Sequence, residues 1–174
     1  MKLSIIIPCY NEVSTIEKII EKINLQTDID KEIIVVDDYS TDKTRLILEN
    51  ELKDKIDHLV LNHQNQGKGY SIRKGIEKAT GEIVLIQDAD LEYDPIDYKK
   101  LIRPIKEGLA DVVFGSRFLG LGERRVLYFW HTVGNKFLTL LSNMLSNLNL
   151  TDMEVCYKVF RSEELKKLKL IENR

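Results

Sequence analysis

Asp88-Ala89-Asp90 is the segment whose residue types and spacing speak most directly of chemistry. Two carboxylates one residue apart follow the apolar run Ile83-Val84-Leu85-Ile86, and Leu91-Glu92 come next. At the carboxyl end of a parallel strand, such acids face the crevice where open α/β sheets bind ligands. The design recurs: Val35-Val36 leads into Asp37-Asp38, and Glu12 follows the run from Leu3 to Ile7. Like charges a few ångströms apart repel by about 4 kcal/mol per pair at an effective dielectric near 20. So many acids in one crevice point to a divalent cation, to basic partners, or to an anionic ligand that brings a metal with it. Hard oxygen donors suit Mg²⁺ or Mn²⁺, ions that complete their shells with substrate phosphates. His58, His63 and His131 have no spacing that competes as a zinc set. The plain alternative is a set of solvated acidic turns.

Other segments carry weaker versions of the same ambiguity. Pro8-Cys9-Tyr10-Asn11-Glu12 can cradle a base or ribose at a sheet edge, or can be a turn before a helix capped by Asn11 or Ser14. Asp37-Asp38-Tyr39-Ser40-Thr41-Asp42 can accept hydrogen bonds from a ribose or base, with Thr41 or Asp42 capping the helix that follows. Asn65-Gln66-Gly67-Lys68-Gly69 opens a helix but lacks the leading Gly and Lys-Ser/Thr order of a Walker loop. Its glycines permit a tight backbone path, and Lys68 offers a positive charge. Gly115-Ser116-Arg117 ends a strand with a fixed fork of donors suited to phosphate. Lys158 and Arg161 lie three apart and share a face if their segment is helical. Solvent-facing bases are the alternative for each.

The elements that must position these groups alternate in a βα rhythm over the first 115 residues. Strand-like runs occur at 3–7, 32–36, 58–61, 83–87 and 111–114. Val13, Ile16, Ile19, Ile20 and Ile23 keep the spacing of one helical face. A second helix carries Leu46, Ile47 and Leu52, a third runs from about Tyr70 to Ala79, and a fourth follows Pro95. This alternation predicts an α/β fold with a mainly parallel sheet and helices on both faces. After Gly115 the rhythm breaks. Residues 126–150 form a long helical pattern in which Phe129, Val133, Phe137, Leu141 and Leu145 recur every four residues. It reads either as a core helix or as an interfacial anchor, with Tyr128 and Trp130 near one end and Arg124 and Arg125 just before.

With 174 residues the chain is expected to form one domain, residues 1–115 and 116–174 being its two parts. A net charge of -2 hides an asymmetry: residues 1–114 hold 16 basic and 22 acidic side chains, and the remainder 10 and 6. The acidic part suits metal binding, and the basic part suits phosphates or an anionic membrane surface. Chance segregation of surface charge is the bland reading. Cys9 and Cys156 do not make a disulfide framework, and reduced thiols in the cytoplasm are the default. No run reaches the roughly 18–20 apolar residues that span a bilayer, so membrane contact is expected to be peripheral.

In order along the chain, Pro8 to Glu12, Val35 to Asp38 with Ser40, Asp42 and Thr44, Gly67-Lys68-Gly69, Asp88-Ala89-Asp90, Gly115-Ser116-Arg117, and Thr151-Asp152 with Lys158 to Arg161 together resemble family-two glycosyltransferases. The likeness is to the polyprenyl-phosphate group typified by dolichol-phosphate mannose synthase. It implies a GT-A-type, Rossmann-like nucleotide-sugar domain. By that resemblance Pro8, Tyr10, Glu12, Asp37, Asp38, Lys68 and Asp88 to Asp90, Ala89 included, surround the nucleotide. Asp88, Asp90 and Glu92 hold Mg²⁺ or Mn²⁺. Arg117, Lys158 and Arg161 meet donor or acceptor phosphates, and Asp152 orients a substrate. Asp88, Asp90, Arg117 and Asp152 are then the catalytic candidates. The implied reaction moves a hexosyl group from GDP-mannose or UDP-glucose to a polyprenyl phosphate with inversion, the 126–150 helix lying on the membrane. No nucleic-acid partner is expected. Members often have Gln at the place of Glu92 and Gly-Phe at the place of Cys156-Tyr157, and usually continue beyond the point matching Arg174, so a C-terminally truncated chain is expected. A sugar-hydroxyl or other soluble acceptor is the alternative within the enzyme class. A phosphoacceptor receiver is the alternative outside it, but there the acid pair closes the first strand, and here it closes the second.

Overall fold

Runs of isoleucine, valine and leucine with almost no polar interruption build the centre of the sheet, as expected of parallel strands covered on both faces. The computed structural model describes residues 1–118 and 128–173. Strands β1 (Leu3–Cys9), β2 (Lys31–Asp37), β3 (His58–Leu61), β4 (Ile83–Ile86), β5 (Val112–Phe114) and β6 (Lys158–Arg161) form one sheet in the order β3-β2-β1-β4-β6-β5. β1 pairs in parallel with β2 and β4, and β2 with β3, whereas β6 runs antiparallel between β4 and β5. The expected parallel α/β architecture is therefore present, with one reversed strand.

Helix α1 (Ile16–Asn24) buries Ile16, Ile19, Ile20 and Ile23 completely. It packs with α2 (Thr44–Asn50) and α4 (Tyr98–Lys106) on one face of the sheet, over Ile5, Ile7, Ile33, Val35 and Leu85. Helices α3 (Lys68–Lys78) and α6 (Ser162–Lys167) cover the other face, where Ile6, Ile34, Val36 and Val84 meet Ile76 and Leu165. α3 rides very close to β1: a Cβ added at Gly75 would collide with the Ile6 side chain. At the amino ends of the strands, buried Glu32 accepts hydrogen bonds from Lys2, Ser4, Thr80 and Gly81. Burial alone would raise its carboxyl, but these donors outweigh it and bring it down to about 2.

One expectation changes. The segment holding Lys158 and Arg161 is a strand, so the two residues do not share a helical face. Lys158 lies opposite Ile86, beside the carboxyl end of β4, whereas Arg161 lies opposite Ile83, about 10 Å farther down the sheet. The long helical pattern gives α5 (Phe129–Ser146). Arg124, Arg125 and residues 126–127 of the expected stretch lie outside the described residues.

α5 is inverted relative to α1. Its buried side chains are Asn135 and Thr139, while Trp130, Phe137, Met144 and Leu145 are exposed, Leu145 at 90%. The inward seam is polar: Thr139 Oγ1 accepts from the Met153 amide, and the Asn143 side chain exchanges hydrogen bonds with the Leu150 backbone. Among the described residues, no helix is long and apolar enough to cross a membrane.

Candidate active site

Three parallel strands release their chains at one edge, and each release is followed by a residue in the left-handed region. Asn11 (φ 58°), Tyr39 (φ 65°) and Leu91 (φ 62°) follow the ends of β1, β2 and β4. Such conformations cost free energy in a bulky side chain and concentrate where surrounding bonds over-determine them. Here those bonds are visible. Asn11 Oδ1 accepts from the amides of Thr41 and Asp42, its own amide donates to Ser40 Oγ, and the Glu12 amide donates to Thr44 Oγ1. The exits of β1 and β2 are thus tied into one rigid rim.

Between these exits lies a cleft of about 230 Å³, lined by Pro8, Tyr10, Glu12, Asp38, Lys68, Ser71, Asp88, Ala89 and Asp90 together with Cys9. Asp38 is buried, and its oxygens accept from Asn62 Nδ2 and the Gln66 and Gly67 amides at 2.7–2.9 Å. It shapes the turn that launches α3. Gly67 itself stands at φ 94°, a conformation that favours glycine. Asp37 does not line the cleft. Its fully buried carboxylate is engaged by Arg45 Nε and Nη2 at 2.8 and 2.5 Å.

Lys68 reaches from the first turn of α3 onto Asp88 Oδ1. Burial would lower the Lys68 ammonium, but the negative groups around it, Asp88 and Asp90 among them, prevail and raise it. Asp90 is raised by burial and by the neighbouring charges of Asp88 and Glu92. Two carboxylates, Asp88 and Asp90, thus stand together in the cleft with Lys68 as the cation that meets Asp88. The three-acid set expected for the metal is not gathered. Glu92 lines an adjoining hollow rather than the cleft, and among the described residues no three His, Cys or acidic side chains converge to hold a metal alone. Asp88 and Asp90 fit Mg²⁺ or Mn²⁺ in the other common arrangement, one or two carboxylates completed by substrate phosphate oxygens.

The adjoining hollow, also about 230 Å³, shares Lys68 and Asp88 with the cleft and adds Arg117, Lys158, Glu92, Tyr93 and Glu154. Arg117 grips buried Asp152 through Nε and Nη2 at 2.8 and 2.9 Å, and its amide donates to the same carboxylate. This ion pair raises the guanidinium further. Lys158 is lowered by burial; its Nζ donates to the Val155 carbonyl and sits 5.4 Å from the Phe114 ring centroid. Arg161 is absent from both hollows and pairs with Asp111 at 2.9 Å. A larger surface hollow of about 780 Å³ lies beside α1 and β2, between Glu21, Lys31 and Asp57, and holds none of the strand-end acids.

Several residues that shape the site escaped the sequence reading. Gln87 is fully buried and accepts from Tyr98 and Tyr157 hydroxyls at 2.8 and 2.9 Å, fixing the backbone that carries Asp88. Arg45, Asn62 and Asn135 likewise have roles defined by distant partners. Only Ser71 carried a signal, as one turn after the Gly67-Lys68-Gly69 loop.

Strand-end acids, a glycine-flanked lysine and an arginine beyond them define a nucleotide-sugar type of α/β domain. The family model described as glycosyl transferase family 2 matches residues 4–169, and the chain belongs to that family. It is 36% identical over 125 residues to the dolichol-phosphate mannosyltransferase of Pyrococcus furiosus, covering 71% of this chain and 35% of that protein. It is also 36% identical over 117 residues to the GalNAc(5)-diNAcBac-PP-undecaprenol beta-1,3-glucosyltransferase of Campylobacter jejuni, covering 66% of this chain and 38% of that protein. The chain thus spans little more than a third of the length of these two relatives. Among solved structures, S. aureus TarS 1–349 superposes with a TM-score of 0.66 at 27% identity, covering 96% of this chain and 49% of that one. TarS has also been crystallised with UDP and with UDP-GlcNAc. M. tuberculosis glucosyl-3-phosphoglycerate synthase superposes at 0.71 with 22% identity, covering 96% and 59%, which establishes the shared GT-A fold.

Proposed function

We propose that this domain transfers a hexosyl group from a nucleotide sugar to a polyprenyl phosphate, inverting the anomeric carbon. The observation that carries this reading is the pair of joined hollows. An acidic, strand-end cleft meets a hollow bearing Arg117 and Lys158, and Lys68 and Asp88 line both. The likeness to the archaeal mannosyltransferase supports the lipid acceptor, and the UDP complexes of TarS support a nucleotide in the cleft.

The acceptor phosphate supplies its own nucleophile. A phosphomonoester has a second pKa of about 6 and is mostly dianionic at pH 7. One of its oxygens bonds to the anomeric carbon as the bond to the nucleoside diphosphate breaks, so no side chain has to remove a proton. Arg117 and Lys158 hold the acceptor phosphate, and Lys68 offers charge to the departing diphosphate. Asp152 fixes the angle of Arg117. Asp88 and Asp90 would hold Mg²⁺ or Mn²⁺, which when bound would neutralise diphosphate charge. The exposed stripe of α5 rests on the membrane surface that contains the acceptor, a peripheral attachment.

The test is titration with GDP-mannose and with UDP-glucose, in Mn²⁺ and in chelator, followed by transfer assays with and without prenyl phosphate. One donor binds in a metal-dependent way, and Asp88→Asn lowers turnover about a hundredfold or more. Unchanged activity in that variant sinks the metal assignment. Transfer that does not need prenyl phosphate moves the assignment to a soluble acceptor.

A further inference from the structure

Asn135 is one of two buried side chains on a helix whose apolar residues face outward. Its single amide nitrogen donates to Asp152 Oδ1 at 2.9 Å and to Glu154 Oε2 at 2.8 Å. Its carbonyl oxygen accepts from Thr139 one turn on. Asp152 is the carboxylate that grips Arg117, and Glu154 lies 3.9 Å from Arg117 Nη2. One uncharged side chain therefore bridges two acids that compete for the same guanidinium and fixes where each of them stands. Without it, Asp152 and Glu154 repel each other, and Arg117 has two anionic positions to choose between.

We propose that Asn135 is a positioning residue that locks Arg117 on Asp152 and so couples the seating of α5 to the acceptor-phosphate hollow. This rests on the reading of that hollow given above. The coupling is one-sided in space. The donor cleft takes no side chain from α5, whereas the acceptor hollow depends on α5 through this amide. Loss of the amide is therefore felt by the acceptor and not by the nucleotide.

The test uses Asn135→Leu and Asn135→Asp in the full chain, with thermal melts, UDP and GDP titrations, and transfer kinetics on a short-chain prenyl phosphate. For Asn135→Leu the expected result is an acceptor KM raised about tenfold, within the usual range of such couplings, with nucleotide affinity unchanged. Asn135→Asp places a third carboxyl beside Asp152 and Glu154, near Arg117, Tyr93 and Lys158. Its acid neighbours raise its pKa, and once protonated it donates again. The ratio of variant to wild-type acceptor KM therefore falls as pH drops from 8 towards 5.5, the titration of the acceptor phosphate itself being common to both. A merely structural role lowers the melting temperature and leaves acceptor KM and its pH profile as in the wild type, and that result overturns the proposal. A double-mutant cycle on melting temperature between Asn135→Leu and Arg117→Met needs no activity. Non-additive shifts support the coupling and additive shifts refute it. Failure of nucleotide binding in the wild type instead rejects the transferase reading, and the cycle still decides the role of Asn135.

Discussion

Helices α1 and α5 carry similarly regular apolar stripes and put them to opposite use. α1 turns Ile16, Ile19, Ile20 and Ile23 onto the sheet, and its polar side faces water. α5 turns Asn135, Thr139 and Asn143 inward onto residues 150–154 and leaves Phe137, Met144 and Leu145 outside. An apolar stripe announces that a face will be covered, not by what. α1 is held by burial of area, which is strong and indifferent to pH. α5 is held by a seam of amides, a hydroxyl and carboxylates, which is specific and sensitive to charge.

The largest test of that contrast is Ile20→Ala, which leaves a cavity in the core and lowers stability by about 2–5 kcal/mol in a denaturant melt. A loss below about 1 kcal/mol would mean that α1 is not anchored as its burial indicates. Next comes acid. Burial alone would raise the Asp152 carboxyl, but the bonds from Arg117 and Asn135 prevail and hold it below its usual range. The tie is fully present above about pH 4, where the unfolded carboxyl is ionised, and is lost as pH falls through the lower folded value. Each charged hydrogen bond contributes about 1.5–3 kcal/mol. In hydrogen exchange below pH 4, amides of α5 lose protection before those of α1; simultaneous loss would erase the distinction. Smallest in stability is Leu145→Ala, within about 0.5 kcal/mol of wild type. The same change lowers binding to anionic phospholipid vesicles by about tenfold, if the leucine is buried there. Unchanged vesicle binding would remove the membrane from the outer face of α5.

The βα rhythm was legible because strands buried on both faces are written as unbroken aliphatic runs, and β1, β2 and β4 are such runs. The strand-end acids were legible for the same reason, since each interrupts its run abruptly. β6 was not: Lys158-Val159-Phe160-Arg161 is four residues long with a base at each end, and its place between β4 and β5 is set by long-range pairing. The inward face of α5 was hidden because Asn135 becomes an interior residue only once Asp152 and Glu154 are beside it. Arg45 and Gln87 share that character. Their roles come from partners that sequence spacing does not reveal.

Gly75 shows how far from a cleft its width can be decided. It lies seven residues after Lys68 on α3, about 10 Å along the axis. Ile6 leaves no space there for even a methyl group, so a larger residue is relieved by lifting the helix off the sheet. A helix moves nearly as a rod, and the lysine at its tip moves with it. The hydrogen atom in place of a side chain at position 75 therefore acts as a gauge block, setting the reach of Lys68 toward Asp88 from farther along the helix.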